Sequence, residues 1–310
     1  MMRIVYMGTP DFAVAPLEAL VEAGYPVAGV FTQQDKPKNR GMKMQPPPVK
    51  VVAQAHGIPV FQPKSWKGEE AYEQLRALEP ELVVVTAYGK LLPRRVLDLP
   101  RYGCINVHAS LLPDYRGASP IQQVILRGEK QSGVTIMQMD EGLDTGDMLL
   151  RRAIDLAPDE TADSLHDKLA ALGAGLLVEC VEKLEKGEIT PEPQPEACRF
   201  YAPLIRKEDG HIHFTEQAEQ IDRMARGLQP WPGTFSHLGG QTIKLFDITV
   251  EQDGPSGECG AILDCGKQGL QVACADGVVT IGQLQAPGGK RMACVDYFRG
   301  HPYNKDVHFE

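Results

Sequence analysis

The chain has no pair of cysteines spaced C-x-x-C. Its seven cysteines are scattered from Cys104 to Cys294, an odd and unpatterned set that argues for reduced thiols and against a zinc ribbon. No metal site is expected. No apolar run approaches the roughly 20 residues that span a bilayer. The start, MMRIVYMGTPDF, reads as a strand and a turn without the cleavage site of a signal peptide. The expectation is a cytoplasmic protein with no membrane contact. Basic residues are in deficit, with 32 Lys and Arg against 41 Asp and Glu and a net charge of −9. Non-specific nucleic-acid binding rests on cations against phosphates, so this is no general nucleic-acid coater, although a local basic patch can serve a specific one. Three signatures are also missing. MGTPDFA opens like a dinucleotide-binding unit but lacks G-x-G-x-x-G, which counts against an NAD enzyme. GGKRM has no Ser or Thr after the lysine and no first glycine at P-loop spacing, and no Gly-x-Ser-x-Gly elbow occurs.

What is present is the profile of a folded protein, 43% hydrophobic and 24% charged over 310 residues. That length predicts two domains. The first half alternates strand and helix signals. Residues 3–7 are an apolar run ended by Gly8, and Thr9-Pro10 reads as a helix cap before a helix through LEALVEA to Gly24. Strands follow at VAGVF, IPVF, LVVVTA (82–87), CINVH (104–108) and VTIMQM (134–139). Helices fall at 49–56, near 69–78, at 119–128 and from about Thr161 to Lys186. Strands with helical crossovers predict a Rossmann-like, doubly wound, mostly parallel sheet. ITPEPQPEA, with prolines at 191, 193 and 195, reads as a stiff extended linker. The domains are therefore placed at 1–187 and 204–310, with the linker at 188–203. The second domain has one helix at 215–227. Its short strands QTIKLFDITV, GAILDC, GLQVACA and GVVTIGQL predict a small barrel or sandwich of about 100 residues.

Chemistry concentrates in two segments. INVHASLLPDYRGASP (105–120) puts Asn106 and His108 two apart on a strand, hence on one face. They sit at its carboxyl end, where open parallel sheets bind ligands. Asn106 offers an amide donor to a developing oxyanion, and His108 exchanges protons near neutral pH. The bland alternative is a turn-capping Asn and a satisfied His at a strand end. DEGLDTGD (140–147) follows VTIMQM at another predicted carboxyl end, so Asp144 can meet His108 and orient it. Gly142 and Gly146 allow the sharp turns that push Asp144 inward. A solvated acidic turn is the alternative, and the spacing lacks the D-x-[DN]-x-[DN]-G calcium pattern.

The loop 36–50 carries Lys36, Lys38, Arg40, Lys43 and Lys50 and no acid. It reads either as a phosphate-gripping segment or as a solvated surface loop.

Taken together, these pieces resemble the methionyl-tRNA formyltransferase family. The landmarks are GTPDFA, GVFTQ, the basic loop with Arg40-Gly41, PPVK, VVTAYGKLLP, GCINVHASLLPDYRGASPIQ, GVTIMQMDEGLDTGDML and QPWPGTF, in order over nearly the whole chain. The resemblance implies formyl transfer from 10-formyltetrahydrofolate to the α-amino group of methionyl initiator tRNA, without a metal. It implies Asn106, His108 and Asp144 as the catalytic trio and Ser110, Leu111, Leu112 and Pro113 as folate contacts. It also implies tRNA contacts at Lys36, Lys38, Arg40 and Lys43, an OB-like C-terminal barrel that helps hold the tRNA, and a monomer. Two features stand against its grain. Residues 206–310 hold ten Lys and Arg against fourteen Asp and Glu, a net −4, so tRNA binding there needs a local basic face, for which Lys290, Arg291 and Arg299 are candidates. Asp114 stands where the family commonly has a basic residue. The rival readings are a formyltransferase acting on a nucleotide-linked amino sugar, a glycinamide ribonucleotide transformylase, which needs no second domain, and an idle RNA-binding protein, against which the intact trio argues.

Overall fold

The computed structural model describes residues 1–38, 43–251, 257–302 and 307–310. The chain forms two compact units. The first is Met1–Pro120, Gln131–Leu156 and Leu165–Ala202; the second is Ile121–Lys130, Ala157–Ser164 and Pro203–Glu310.

The chain runs through β1 (Ile4–Gly8), α1 (Val14–Glu22), β2 (Val27–Phe31), β3 (Lys36–Lys38), β4 (Lys43–Gln45), α2 (Pro48–Ala55), β5 (Val60–Phe61), α3 (Glu69–Ala77), β6 (Leu82–Thr86), α4 (Arg94–Leu97), β7 (Cys104–His108), β8 (Arg116–Gly117), α5 (Pro120–Leu126), β9 (Gln131–Gln138), β10 (Met148–Asp155), α6 (Ala162–Lys186) and β11 (Tyr201–Ala202). The first unit is built on a seven-stranded sheet ordered β10-β9-β7-β6-β1-β2-β5. Its β1, β2, β5, β6 and β7 are parallel, and β9 and β10 add antiparallel partners beyond β7. This is the expected mostly parallel, doubly wound architecture. Every residue of β1 and β6 is buried, as strands covered on both faces require. Val5, Met7, Val83 and Val85 cluster with Leu75 of α3 and with Val96 and Leu97 of α4. On the other face α6 comes down on β7 at Gly173, where an added Cβ would lie 3.0 Å from Val107 Cγ1. Glycine there sets how close helix and strand approach.

Three local expectations are corrected. Thr9 caps no helix: its hydroxyl donates to the Tyr88 carbonyl at 3.1 Å, a short 3-10 turn spans Asp11–Ala13, and α1 starts only at Val14. A long-range acceptor at the end of β6 has outcompeted local capping. The basic loop contains two short strands, β3 paired antiparallel with β4. Strand β10 had no signal because it is an edge strand whose Arg151, Arg152 and Ala153 face solvent.

The second unit continues with α7 (Ala218–Gly227), β12 (Thr234–Leu238), β13 (Gln241–Glu251), β14 (Ile262–Gly266), β15 (Gly269–Cys274), β16 (Gly277–Gln285), β17 (Met292–Ala293) and α8 (Cys294–Gly300). Its antiparallel sheet is ordered β12-β13-β16-β15-β14, with β17 on β16. Ile221, Met224 and Ala225 of α7 bury with Leu245, Val279, Ile281 and Leu284 in one core. Phe309 bridges Leu238 at the end of β12, and its N–H donates to the Gly260 carbonyl just before β14 at 2.9 Å. Both edges of the sheet are thus engaged by one residue, an arrangement compatible with a small barrel. Residues 121–130 and 157–164 belong to this unit physically. Gly227 packs on Ile125 and Leu126, and Arg226 donates to the Glu160 carbonyl at 2.7 Å. Among the described residues, no helix is long and apolar enough to cross a membrane.

Candidate active site

Strand β7 ends in Asn106-Val107-His108, so the period-2 alternation sets Asn106 and His108 on one face at the carboxyl edge of the sheet. Asn106 is partly exposed, and among the described residues its amide group has no hydrogen-bond partner. His108 is buried. Its Nε2 lies 3.0 Å from the Tyr115 carbonyl oxygen. A carbonyl only accepts, so Nε2 carries the proton in this contact. That leaves Nδ1, which faces Asp144 with Oδ2 at 3.8 Å. This is ion-pair range once the ring is protonated and too long for a direct hydrogen bond.

Asp144 reaches this position through its own backbone. Its φ is +56°, a left-handed conformation uncommon outside glycine. Gly142 and Gly146 were expected to make the turn, and neither adopts a positive φ. Gly146 acts through lack of bulk instead, since a Cβ there would lie 1.9 Å from the Gln138 carbonyl oxygen. Asp140 ties the loop by accepting from the Gly142 N–H at 3.0 Å and from the Thr145 hydroxyl at 2.8 Å. The Asp144 carboxylate accepts from the Gly117 N–H at 2.9 Å. The structure therefore brings Asn106, His108 and Asp144 to one edge.

The stretch 110–113 is largely occupied with itself. The Ser110 hydroxyl donates to the Asp114 carbonyl at 2.7 Å, and Leu112 is buried with Met137 and Met148. Leu111 and Pro113 stay partly exposed. Thr135, which sequence reasoning did not single out, sits opposite His108 on β9. Its hydroxyl donates to the Ser110 carbonyl at 2.7 Å and accepts from the Leu112 N–H at 3.1 Å. The only signal was a lone hydroxyl in the apolar run VTIM.

The proline-rich segment after α6 is extended, and it is bonded to the site throughout. Glu192 exchanges two main-chain hydrogen bonds with Met148, both 2.8 Å, and β11 pairs with β8. The Tyr115 N–H donates to the Phe200 carbonyl at 2.8 Å. Asp114 has its partner here: it accepts from the Arg199 N–H at 2.7 Å and from Arg199 Nε at 3.1 Å. Asp114 is thus a fastening for this segment.

Of the basic loop, Lys36 is exposed and donates to Gln33 Oε1 at 2.8 Å. Arg40 lies outside the described residues, as do the side chains of Lys38 and Lys43. Lys50 is taken, by Asp35 at 2.8 Å and Gln62 at 2.9 Å. Lys90 of the VVTAYGKLLP landmark donates to the Pro63 and Lys64 carbonyls. Desolvation first, and the charge of Lys36 second, lower its pKa. In the second unit, Arg291 pairs with Asp247 and Arg299 with Asp296, each at 2.8 Å. That leaves Lys290 of the three candidates without an ion-pair partner among the described residues. No cluster of three or more His, Cys, Asp or Glu among the described residues is arranged to hold a metal.

Residues 2–181 match the formyl transferase family model, and residues 204–302 match the model of the formyl transferase C-terminal domain. The chain is 50% identical over 300 residues to the methionyl-tRNA formyltransferase of Citrifermentans bemidjiense, covering 97% of this chain and 94% of that one. It is 48% identical over 299 residues to that of Geobacter metallireducens, covering 96% of each. Among solved structures the fold is shared with the methionyl-tRNA formyltransferase of Clostridium thermocellum, at TM-score 0.56 and 18% identity over 82% of this chain and 95% of that one. It is shared too with an N-formyltransferase of Helicobacter canadensis, at TM-score 0.68 and 18% identity over 94% of this chain and all of that one. With both halves matched in order and half of the residues identical along almost its whole length, the chain belongs to the methionyl-tRNA formyltransferase family.

Proposed function

We propose that the chain transfers a formyl group from 10-formyltetrahydrofolate to the α-amino group of methionine on initiator tRNA, as a cytoplasmic monomer. The observation that carries this reading is the approach of His108 Nδ1 to Asp144 Oδ2, 3.8 Å, at the sheet edge where Asn106 holds an uncommitted amide. The donor supplies the activated formyl carbon. The same edge offers a flat heteroaromatic donor apolar surface: Leu143 is 49% exposed, and Leu111 and Pro113 are partly so.

The remaining work falls to the chain. The Asn106 side-chain N–H donates to the formyl oxygen and stabilises the negative charge that gathers there during attack. His108, with Nε2–H committed to the Tyr115 carbonyl, uses Nδ1 to take the proton of the attacking amine and then returns it to the departing folate nitrogen. Asp144 faces that nitrogen and favours the imidazolium while it lasts. Lys36 supports a tRNA contact, with Lys38 on the same strand and Lys43 on its antiparallel partner, and Arg40 is assigned to that contact from the sequence alone. Lys50 has no share in that contact because its charge is spent on Asp35.

Asn106→Ala tests this assignment. It is expected to lower kcat by about 10²–10³-fold while donor affinity changes little. A near-normal kcat would remove Asn106 from the chemistry.

A further inference from the structure

Gln194 lies in the segment that the sequence marks as a linker, yet its side chain reaches the catalytic loop. Its Nε2 donates to the Asp144 carbonyl at 3.0 Å and to the Gly146 carbonyl at 2.7 Å. Both amide hydrogens of one side chain are therefore spent on two carbonyls of one turn. That turn is the one in which Asp144 holds φ at +56°. A left-handed non-glycine residue persists only where its surroundings over-determine it. Here the carbonyl side of Asp144 is held by Gln194 and the carboxylate side by the Gly117 N–H.

Gln194 is itself held. Its Oε1 accepts from Arg116 Nε at 3.0 Å, while Nη1 and Nη2 of the same guanidinium donate to the Glu196 and Pro195 carbonyls at 3.2 and 2.8 Å. Arg116 is buried, and among the described residues it has no carboxylate partner. Burying a cation without a counter-charge is costly. Here all three guanidinium nitrogens donate, to three consecutive residues, 194–196. Arg116 is also the residue before Gly117, so the strand that grips Gln194 carries the N–H that grips Asp144.

We propose that Gln194, oriented by Arg116, is a positioning residue for formyl transfer: it holds the Asp144 turn so that the carboxylate faces His108 Nδ1. The proposal rests on the activity assigned above. It makes the segment between the two halves part of the catalytic apparatus and not only a tether.

The test is a double-mutant cycle on the full chain, with 10-formyltetrahydrofolate and charged initiator tRNA. Gln194→Glu keeps the oxygen that Arg116 binds and replaces the donor NH2 by an oxygen that faces two carbonyls. It is expected to lower kcat by about 10²-fold, the scale of a roughly 1 Å misplacement, with KM for both substrates within about threefold. In the Asp144→Asn background the same change is expected to cost less than about threefold more, because it acts through a group already disabled. Gln194→Met, which buries no new charge, repeats the cycle if the Glu variant does not fold. An active wild type with kcat of the variant unchanged, with only KM raised, or with losses that multiply in the double mutant, overturns the positioning role. A wild type that formylates no Met-tRNA overturns the activity reading, and the positioning role falls with it.

Discussion

The Nε2–H of His108 is committed to the main-chain oxygen of Tyr115 at 3.0 Å. Tyr115 presents that oxygen from a left-handed conformation, φ +62°, so the acceptor comes from a deliberate bend and not from a passing loop. The contact selects the tautomer and leaves Nδ1 on the Asp144 side.

His108→Gln separates the two nitrogens. The Gln amide reproduces a donor near Nε2, so the contact with Tyr115 and the unfolding midpoint should be kept. Nothing titratable remains at Nδ1, and kcat should fall by about 10²–10⁴-fold, the range for a general acid–base group. Steady-state formylation kinetics with a thermal melt on the same preparation checks both halves. A folded variant with kcat within a few-fold of wild type would contradict the assignment.

Thr135 is the fastening of the 110–112 turn. Thr135→Val keeps the shape but orphans the Leu112 N–H and the Ser110 carbonyl, both satisfied by one hydroxyl in the native fold. Each orphaned buried group costs about 1–3 kcal/mol. The variant should unfold several degrees lower and bind the folate donor more weakly, with the Met-tRNA KM unchanged. Calorimetry and donor titration measure both. Unaltered stability would show that the hydroxyl is dispensable.

His211 predicts a pH dependence in the second unit. Its ring centroid lies 4.0 Å from that of His213 and 4.8 Å from that of His237, and it stacks on Phe235 at 5.2 Å. Desolvation first, then the charges of His213 and His237, push its pKa below the ordinary value; the Glu310 carbonyl and charge pull the other way. With the folded-state pKa depressed, the unfolded chain binds the proton more readily. The contribution of His211 is therefore complete above the unfolded-state value of about 6.5 and is lost as the pH falls through the folded one. Comparing urea midpoints at neutral and mildly acidic pH, His211→Gln should lose less stability on acidification than wild type. Equal losses would show that the imidazole cluster has no part in it.

The pairing of Asn106 with His108 was open to sequence reasoning from local geometry, whereas a catalytic role for them with Asp144 came only as what the family resemblance implies. Period-2 alternation put Asn106 and His108 on one face. The carboxyl-end expectation for the Asp144 loop is corrected: β9 runs antiparallel to β7, with Gln138 opposite Ile105, so the loop leaves at the amino end of β7 and reaches His108 only by its own course. How Asp144 turns inward was not open to sequence reasoning. The glycines at 142 and 146 suggested the bend, whereas the positive φ is at Asp144, held by Gly117 and Gln194 from 27 and 50 residues away. The prolines at 191, 193 and 195 rightly announce an extended segment, but nothing in its composition announces the hydrogen bonds to Asp144, Met148 and Tyr115. The charge count of loop 36–50 fails for a similar reason: Asp35, one position outside the window, neutralises Lys50. Strands β10 and β12 and helix α8 gave too weak a local pattern, and the placement of residues 121–130 in the second unit depends on packing with α7 that has no sequence signature.

The central claim is tested most directly by offering 10-formyltetrahydrofolate with three acceptors, initiator Met-tRNA, elongator Met-tRNA and a nucleotide-linked amino sugar, to wild type, His108→Ala and Arg40→Ala. The account predicts formylation of the initiator alone, loss of it in His108→Ala, and a raised tRNA KM with normal donor binding in Arg40→Ala. Transfer to the amino sugar alone, or undiminished transfer to tRNA by His108→Ala, would contradict it.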